Sequence, residues 1–128
     1  MVADGREALL RQAAERFNQG DLDGVLELMH PMVEWPDLMA DKLIWGHRAV
    51  REYWERQLLL VDPHLTPTQL IEVGDDMIMV STQLVRDRNT GDELIPTMVI
   101  AQRYSFRDGL ISRMRLFRTL EDALAADG

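Results

Sequence analysis

The sequence predicts an α+β domain in which helices cover one face of a mostly antiparallel sheet. Three observations predict it. Apolar residues recur at helical spacing from Leu9 to Leu60, whereas from Leu65 onward the chain turns to long strand-like runs. The separators between those runs, GDD, RNTGDE and RDG, are turn chemistry.

Each element has its own justification. Leu9, Leu10, Ala13, Ala14 and Phe17 form the stripe of a first helix, which ends at NQGD, where Gly20 can take the left-handed position. Asp21 caps a second, short helix carrying Leu22, Val25, Leu26 and Met29, and His30-Pro31 closes it. MVEW reads as a short strand with Val33 and Trp35 on one face and Glu34 on the other. PDLMADKLIW reads as a long connection at the mouth of a site. The third helix spans His47 to Leu60, with Val50, Tyr53, Trp54, Gln57 and Leu58 on one side, and Asp62-Pro63 stops it. The segments LTPTQLIEV, MIMVSTQLVRD, LIPTMVIAQRYSFR and LISRMRLFR are the strands, with RNTGDE as a hairpin loop. TLEDALAADG suits a short terminal helix.

Bulk properties narrow the function classes. A chain of 128 residues that is 46% hydrophobic is long enough for one domain, residues 1–128, with a core of its own. There are no cysteines, so disulfides, thiolate catalysis and thiolate metal sites are excluded. A formal charge of −8 repels phosphate backbones and anionic lipid, so no nucleic-acid or membrane partner is expected. The N-terminus lacks a basic start followed by an apolar run, and no apolar stretch is long enough to span a bilayer, so a cytoplasmic protein is expected. His30, His47 and His64 form no H-x-H or H-E-x-x-H pattern, so neither metal nor other cofactor is expected. Nucleophile-elbow and P-loop motifs are absent.

The ordered pieces FNQGDLDGVLELMHPMVEW, GHRAVREYW and YSFRDGLISRMRLF frame nearly the whole chain. In that order they resemble the nuclear transport factor two-like superfamily, and in particular its SnoaL-like branch. The resemblance implies a cone-shaped α+β barrel, with three N-terminal helices packed in the concave face of a curved sheet. It also implies an apolar pocket inside the cone and, frequently, a homodimer. Alternation within that frame directs Met79, Ser81, Gln83 and Val85 inward from one strand. It directs Met98, Ile100, Gln102, Tyr104 and Phe106 inward from the next, and Ser112, Met114, Leu116 and Arg118 from the last.

The catalytic equipment of the family's enzymes is mostly missing. Where ketosteroid-isomerase-like members carry their base carboxylate, stabilising acid and tyrosine, this chain has Trp35, Gln102 and Ala13. Where limonene-epoxide-hydrolase-like members hold an activated water, it has Gln83, Ser81 and Leu116. Asp37, after Trp35-Pro36 at the expected mouth, is the candidate base, and desolvation by Trp35, Met39 and Trp45 would tune it. The expected ligand-binding set is Trp35, Trp45, Trp54, Met79, Gln83, Gln102, Tyr104, Met114 and Arg118. Gln83 and Gln102 would orient a carbonyl or hydroxyl, or else satisfy each other. Arg118 would bind an acidic group or pair at the rim. The expected function is a pocket for a small apolar molecule, with lyase or isomerase chemistry on a hydrophobic carbonyl compound as its enzymatic form. The alternative is a non-catalytic binding or dimerisation module that pairs through Val80, Leu84 and Phe117 on the outer sheet face.

Overall fold

A computed structural model describes residues 5–127. The elements run α1 (Gly5–Asn18), α2 (Leu22–Leu26), β1 (Met29–Asp37), β2 (Lys42–Trp45), α3 (His47–Leu60), β3 (Val61–Val73) and β4 (Asp76–Asp87). They continue with β5 (Glu93–Arg107), β6 (Leu110–Phe117) and α4 (Leu120–Ala125). All six strands lie in one sheet, ordered β2-β1-β6-β5-β4-β3. Among the described residues only the β1–β6 pair is parallel, so the α+β, mostly antiparallel layout holds.

Local chemistry sets the punctuation. The Asp21 carboxylate accepts the Gly24 N–H at 3.0 Å and starts α2. Gly46 sits at φ +90°, a conformation only glycine adopts without strain, and so marks the start of α3 within WGH. Asp108 and Gly109, at φ +54° and +76°, form the two-residue turn joining β5 to β6, as an Asp-Gly pair favours. Asn18 ties the end of α1 to β3: its amide donates to Leu65 O at 2.7 Å and its carbonyl accepts Leu65 N–H at 2.9 Å.

Two apolar layers result. Leu10, Val25, Val50 and Trp54 of α1–α3 pack against Met29, Val33, Met79, Ile111 and Met114 on the inner sheet face. On the outer face, Leu120 and Ala123 of α4 cover Ile78, Val80, Ala101 and Phe117. Val80 and Phe117, expected to lie open for a partner, are therefore already covered by the chain's own last helix. Arg103, almost fully buried, fastens that helix. It donates to Asp76 Oδ2 at 2.8 Å and to the carbonyls of Ala123 and Ala126 at 2.9 Å each.

Three local expectations are corrected. PDLMADKLIW is not a long loop: Asp37 pairs with Lys42 and Glu34 with Trp45, which makes β1–β2 a hairpin. β1 begins at Met29 and runs through Pro31, because the β1–β6 ladder is irregular between Met29 and Glu34 and needs no N–H there. Finally, Ser105 pairs with Arg113 but Phe106 with Ile111, so Ser112 is the extra residue of a bulge. That bulge puts Ile111 on the inner wall and Ser112 in an outer groove. Met98, opposite Gln83 and in unbroken register with Gln102 and Tyr104, keeps the inner face but is exposed beyond the cavity, and the ladder shifts only after it, where Val85 stands opposite Ile95.

Candidate functional site

Between α1, α3 and the inner sheet face lies a cavity of ≈ 90 Å³. One water needs only about 10–15 Å³, so side chains do not fill the interior. None of its lining residues is charged. Ala13, Ala14, Val25, Met29, Ile111 and Met114 supply apolar wall, while Tyr53, Gln57, Gln83, Gln102 and Tyr104 supply the side-chain oxygens and amides. Leu38 is the most exposed lining residue and marks the open end; Gln102 and Tyr104 are buried.

Trp54 is 2% exposed and belongs to this wall. It meets Phe17 and Trp35 edge-on, with ring centroids at 5.7 and 5.3 Å, and Trp35 in turn tilts against Tyr104 at 6.4 Å. Edge-to-face contacts of this kind hold rings at defined angles, so the aromatic wall is rigid. Of the expected binding residues, Trp35, Trp54, Met79, Gln83, Gln102, Tyr104 and Met114 all line the cavity.

Two expected binding residues do not. Trp45 is 53% exposed on the outer face, where its indole N–H donates to Glu34 Oε1 at 3.3 Å. The hairpin explains this, since the residue opposite Glu34 shares its side of the sheet. Arg118 follows the last residue of β6, is exposed and does not reach the cavity.

Asp37 is buried but does not line the cavity, which corrects its reading as a base facing the ligand. Its Oδ1 accepts the N–H groups of Met39 and Ala40 at 3.0 and 2.9 Å, and Oδ2 accepts Arg56 at 3.2 Å. The carboxylate thus anchors the β1–β2 turn to α3. Tyr53, on the inner stripe of α3, is the group this network presents to the cavity. Leu38 N–H donates to its hydroxyl at 3.4 Å. Burial raises the Tyr53 pKa above the phenolic value, the Leu38 bond opposes that and the Asp37 charge adds to it, so the proton is held. Burial alone pushes Tyr104 up further. The helical stripe through Val50 and Trp54 was the signal that could have singled out Tyr53.

Gln83 and Gln102 do not satisfy each other. Gln83 stands opposite Met98 and Gln102 opposite Met79, four positions apart on β4, or about 13 Å at strand rise. The Gln102 Oε1 is buried with no hydrogen-bond partner among the described residues, and so is the Ser81 hydroxyl.

The outer face differs in character. A groove of ≈ 710 Å³ there is lined by His30, Met32, Glu34, Trp45, Arg103, Arg107 and Arg113, among others. Arg113 pairs with Glu34 at 2.8 Å, and Arg115 lies 3.6 Å from Asp76. Burial, then the charges of Arg113 and Arg103, lower the Arg115 pKa. His47, at the start of α3, donates through Nε2 to Met29 O at 2.9 Å, because a carbonyl only accepts. Among the described residues no cluster of three or more metal-ligating side chains occurs, and no helix is long and apolar enough to cross a membrane.

Comparison with known proteins agrees with this architecture. The structure of TerC co-crystallised with polyporic acid superposes with a TM-score of 0.78 at 22% identity, covering 96% of this chain and 100% of that one. An NTF2-like protein of unknown function from Burkholderia pseudomallei superposes with 0.79 at 19% identity, over 97% and 100%. A putative polyketide cyclase from Pseudomonas putida gives 0.71 at 18% identity, over 91% and 92%. At such identities the likeness shows the fold alone. No curated protein matches the chain. The family model of the SnoaL-like domain matches residues 10–114, which cover most of α1, all of α2 and α3, the aromatic wall and five of the six strands in full. The chain is therefore a member of the SnoaL-like domain family.

Proposed function

We propose that the chain binds a neutral, mainly apolar small molecule in the cavity behind Trp54. The observation that carries this reading is a charge-free, partly empty interior whose aromatic wall is rigid while Gln102 has no protein partner. Polyketide-like compounds without an ionised group, suggested by the cyclase-like structures, are the first candidates for a screen. The test is calorimetric unfolding with a panel of neutral ring compounds. Ligands that fit raise the melting temperature in a concentration-dependent way, as linkage requires. A panel that stabilises neither the protein nor any cavity-enlarging variant refutes the reading.

Binding is favoured over turnover because proton abstraction needs a base within reach of the ligand, and no carboxylate or imidazole lines the cavity. In the enzymatic form, a lyase or isomerase acting on a hydrophobic carbonyl compound, Tyr53 donates to the carbonyl oxygen, a water molecule takes the proton from the substrate carbon, and Asp37 positions the β1–β2 turn beside Tyr53. A pH–rate profile that loses activity with Tyr53→Phe, yet survives Asp37→Asn, would support that form.

A second reading is association of two copies through the outer sheet face. It is favoured by Met32, Leu43 and Trp45, all large, apolar and exposed around the Glu34–Arg113 pair. Analytical sedimentation tests it: Trp45→Glu lowers the mass to that of one chain if the face is an interface. An unchanged mass removes it.

A further inference from the structure

Gln102 is 6% exposed, and the carboxamide makes no hydrogen bond to any described residue. Turning the amide over exchanges one unpaired group for another, so an N–H donor and an oxygen acceptor stay unpaired either way. A buried polar group left unpaired is costly, and leucine would occupy this strand position without that cost. Tyr104 follows two positions later on the same face of β5, is also buried, and likewise has no bonded partner among the described residues. Across β6, Tyr104 stands opposite Met114 and Gln102 opposite Leu116, and all four line the cavity. The cavity wall carries no charge that could neutralise an ion.

Resting on the reading of the cavity as a binding site, we infer that its Gln102–Tyr104 wall selects an uncharged ligand bearing a hydroxyl on its apolar ring. The hydroxyl donates to Gln102 Oε1 and accepts from the Tyr104 hydroxyl or the Gln102 amide. A carboxylate or ammonium in the same place would lose its hydration with no opposite charge to replace it, so ionised analogues are rejected. A plain hydrocarbon fits the wall but leaves both polar side chains unpaired.

Binding of phenol, toluene, benzoate and benzylammonium at pH 8, measured by titration calorimetry or protein-observed NMR, tests this. Toluene is the more hydrophobic of the neutral pair, so an apolar cavity without a reader prefers it. The expected result is that phenol binds at least about fivefold more tightly than toluene, the worth of one buried hydrogen bond. Neither ion should bind. Gln102→Leu reverses the phenol–toluene order and raises the melting temperature of the ligand-free protein, because it removes the unpaired amide. If that variant fails to fold, Gln102→Met reads the same reversal. Toluene binding as tightly as phenol, or benzoate binding as tightly as either, overturns the hydroxyl assignment while leaving the cavity reading intact. If neither neutral compound binds, the cavity reading itself fails.

Discussion

Arg103→Met is the substitution whose cost follows most directly from the geometry. Methionine occupies much of the aliphatic stem's space but gives up three hydrogen bonds, to Asp76 at 2.8 Å and to two carbonyls at 2.9 Å. At about 1.5–3 kcal/mol for each bond to a charged group, simple addition gives roughly 4.5–9 kcal/mol. That sum is too high, because the bond to Ala126 lies in a part-buried region where water can replace the donor. Asp76 also keeps Arg115, at 3.6 Å. Removing one partner of a buried ion pair costs about 3–5 kcal/mol, and we take that range. For a domain of this size it corresponds to a loss on the order of 10–20 °C in melting temperature. Urea denaturation followed by circular dichroism measures it, with Asp76→Ala and the double variant completing the cycle. The double variant should be less damaged than the sum of the singles by at least about 2 kcal/mol, since it no longer strands a carboxylate. Additivity within about 0.5 kcal/mol would refute the pairing and leave Arg103 acting only through the carbonyls.

Other substitutions separate the inner wall from the rim. Trp54→Ala should cost about 3–5 kcal/mol in chemical denaturation and enlarge the cavity, whereas Trp45→Ala should cost within about 0.5 kcal/mol. Asp37→Ala should cost about 1–3 kcal/mol, because three donors lose their acceptor. Arg56→Gln should stay within about 1 kcal/mol, as Arg56 is about half exposed. For pH, burial raises the folded pKa values of Tyr53 and Tyr104 above the ordinary phenolic value of about 10. Below that pH both states hold the proton and nothing is lost. Above it the unfolded chain ionises first, so stability falls as pH rises past about 10. Denaturation curves from pH 8 to 11.5 should show the fall, and Tyr104→Phe should soften it.

Much of this was legible from residue spacing. The 3.6 period of Val50, Tyr53 and Trp54 puts an indole on the inner wall, and alternation within the frame of the family resemblance puts Met79, Gln83, Gln102, Tyr104 and Met114 there too. Alternation fails where a strand holds an extra residue: Pro96, which cannot donate to the ladder, marks one such place, whereas nothing in composition marks Ser112. Trp45 was misplaced for a related reason. KLIW is only four residues long, and its turn uses Asp41 at φ +52° rather than a glycine, so nothing marked a hairpin. Without that hairpin no register assigns Trp45 to the outer face. Asp37 was placed correctly along the chain, but its surroundings were out of reach: the Arg56 side chain comes from a helix nearly twenty residues later.

The division of the three tryptophans between the two faces has a practical consequence. Trp35 and Trp54 sit in a buried aromatic cluster, and Trp45 is exposed beside a carboxylate. Their emission should therefore split by colour, blue from the interior pair and red from the surface ring, and an aqueous quencher such as iodide should silence only the red part. A small molecule entering the cone would then disturb the blue band, and a second copy covering the outer sheet would shield the red one. The native chain needs no attached dye to report the two events separately in one spectrum.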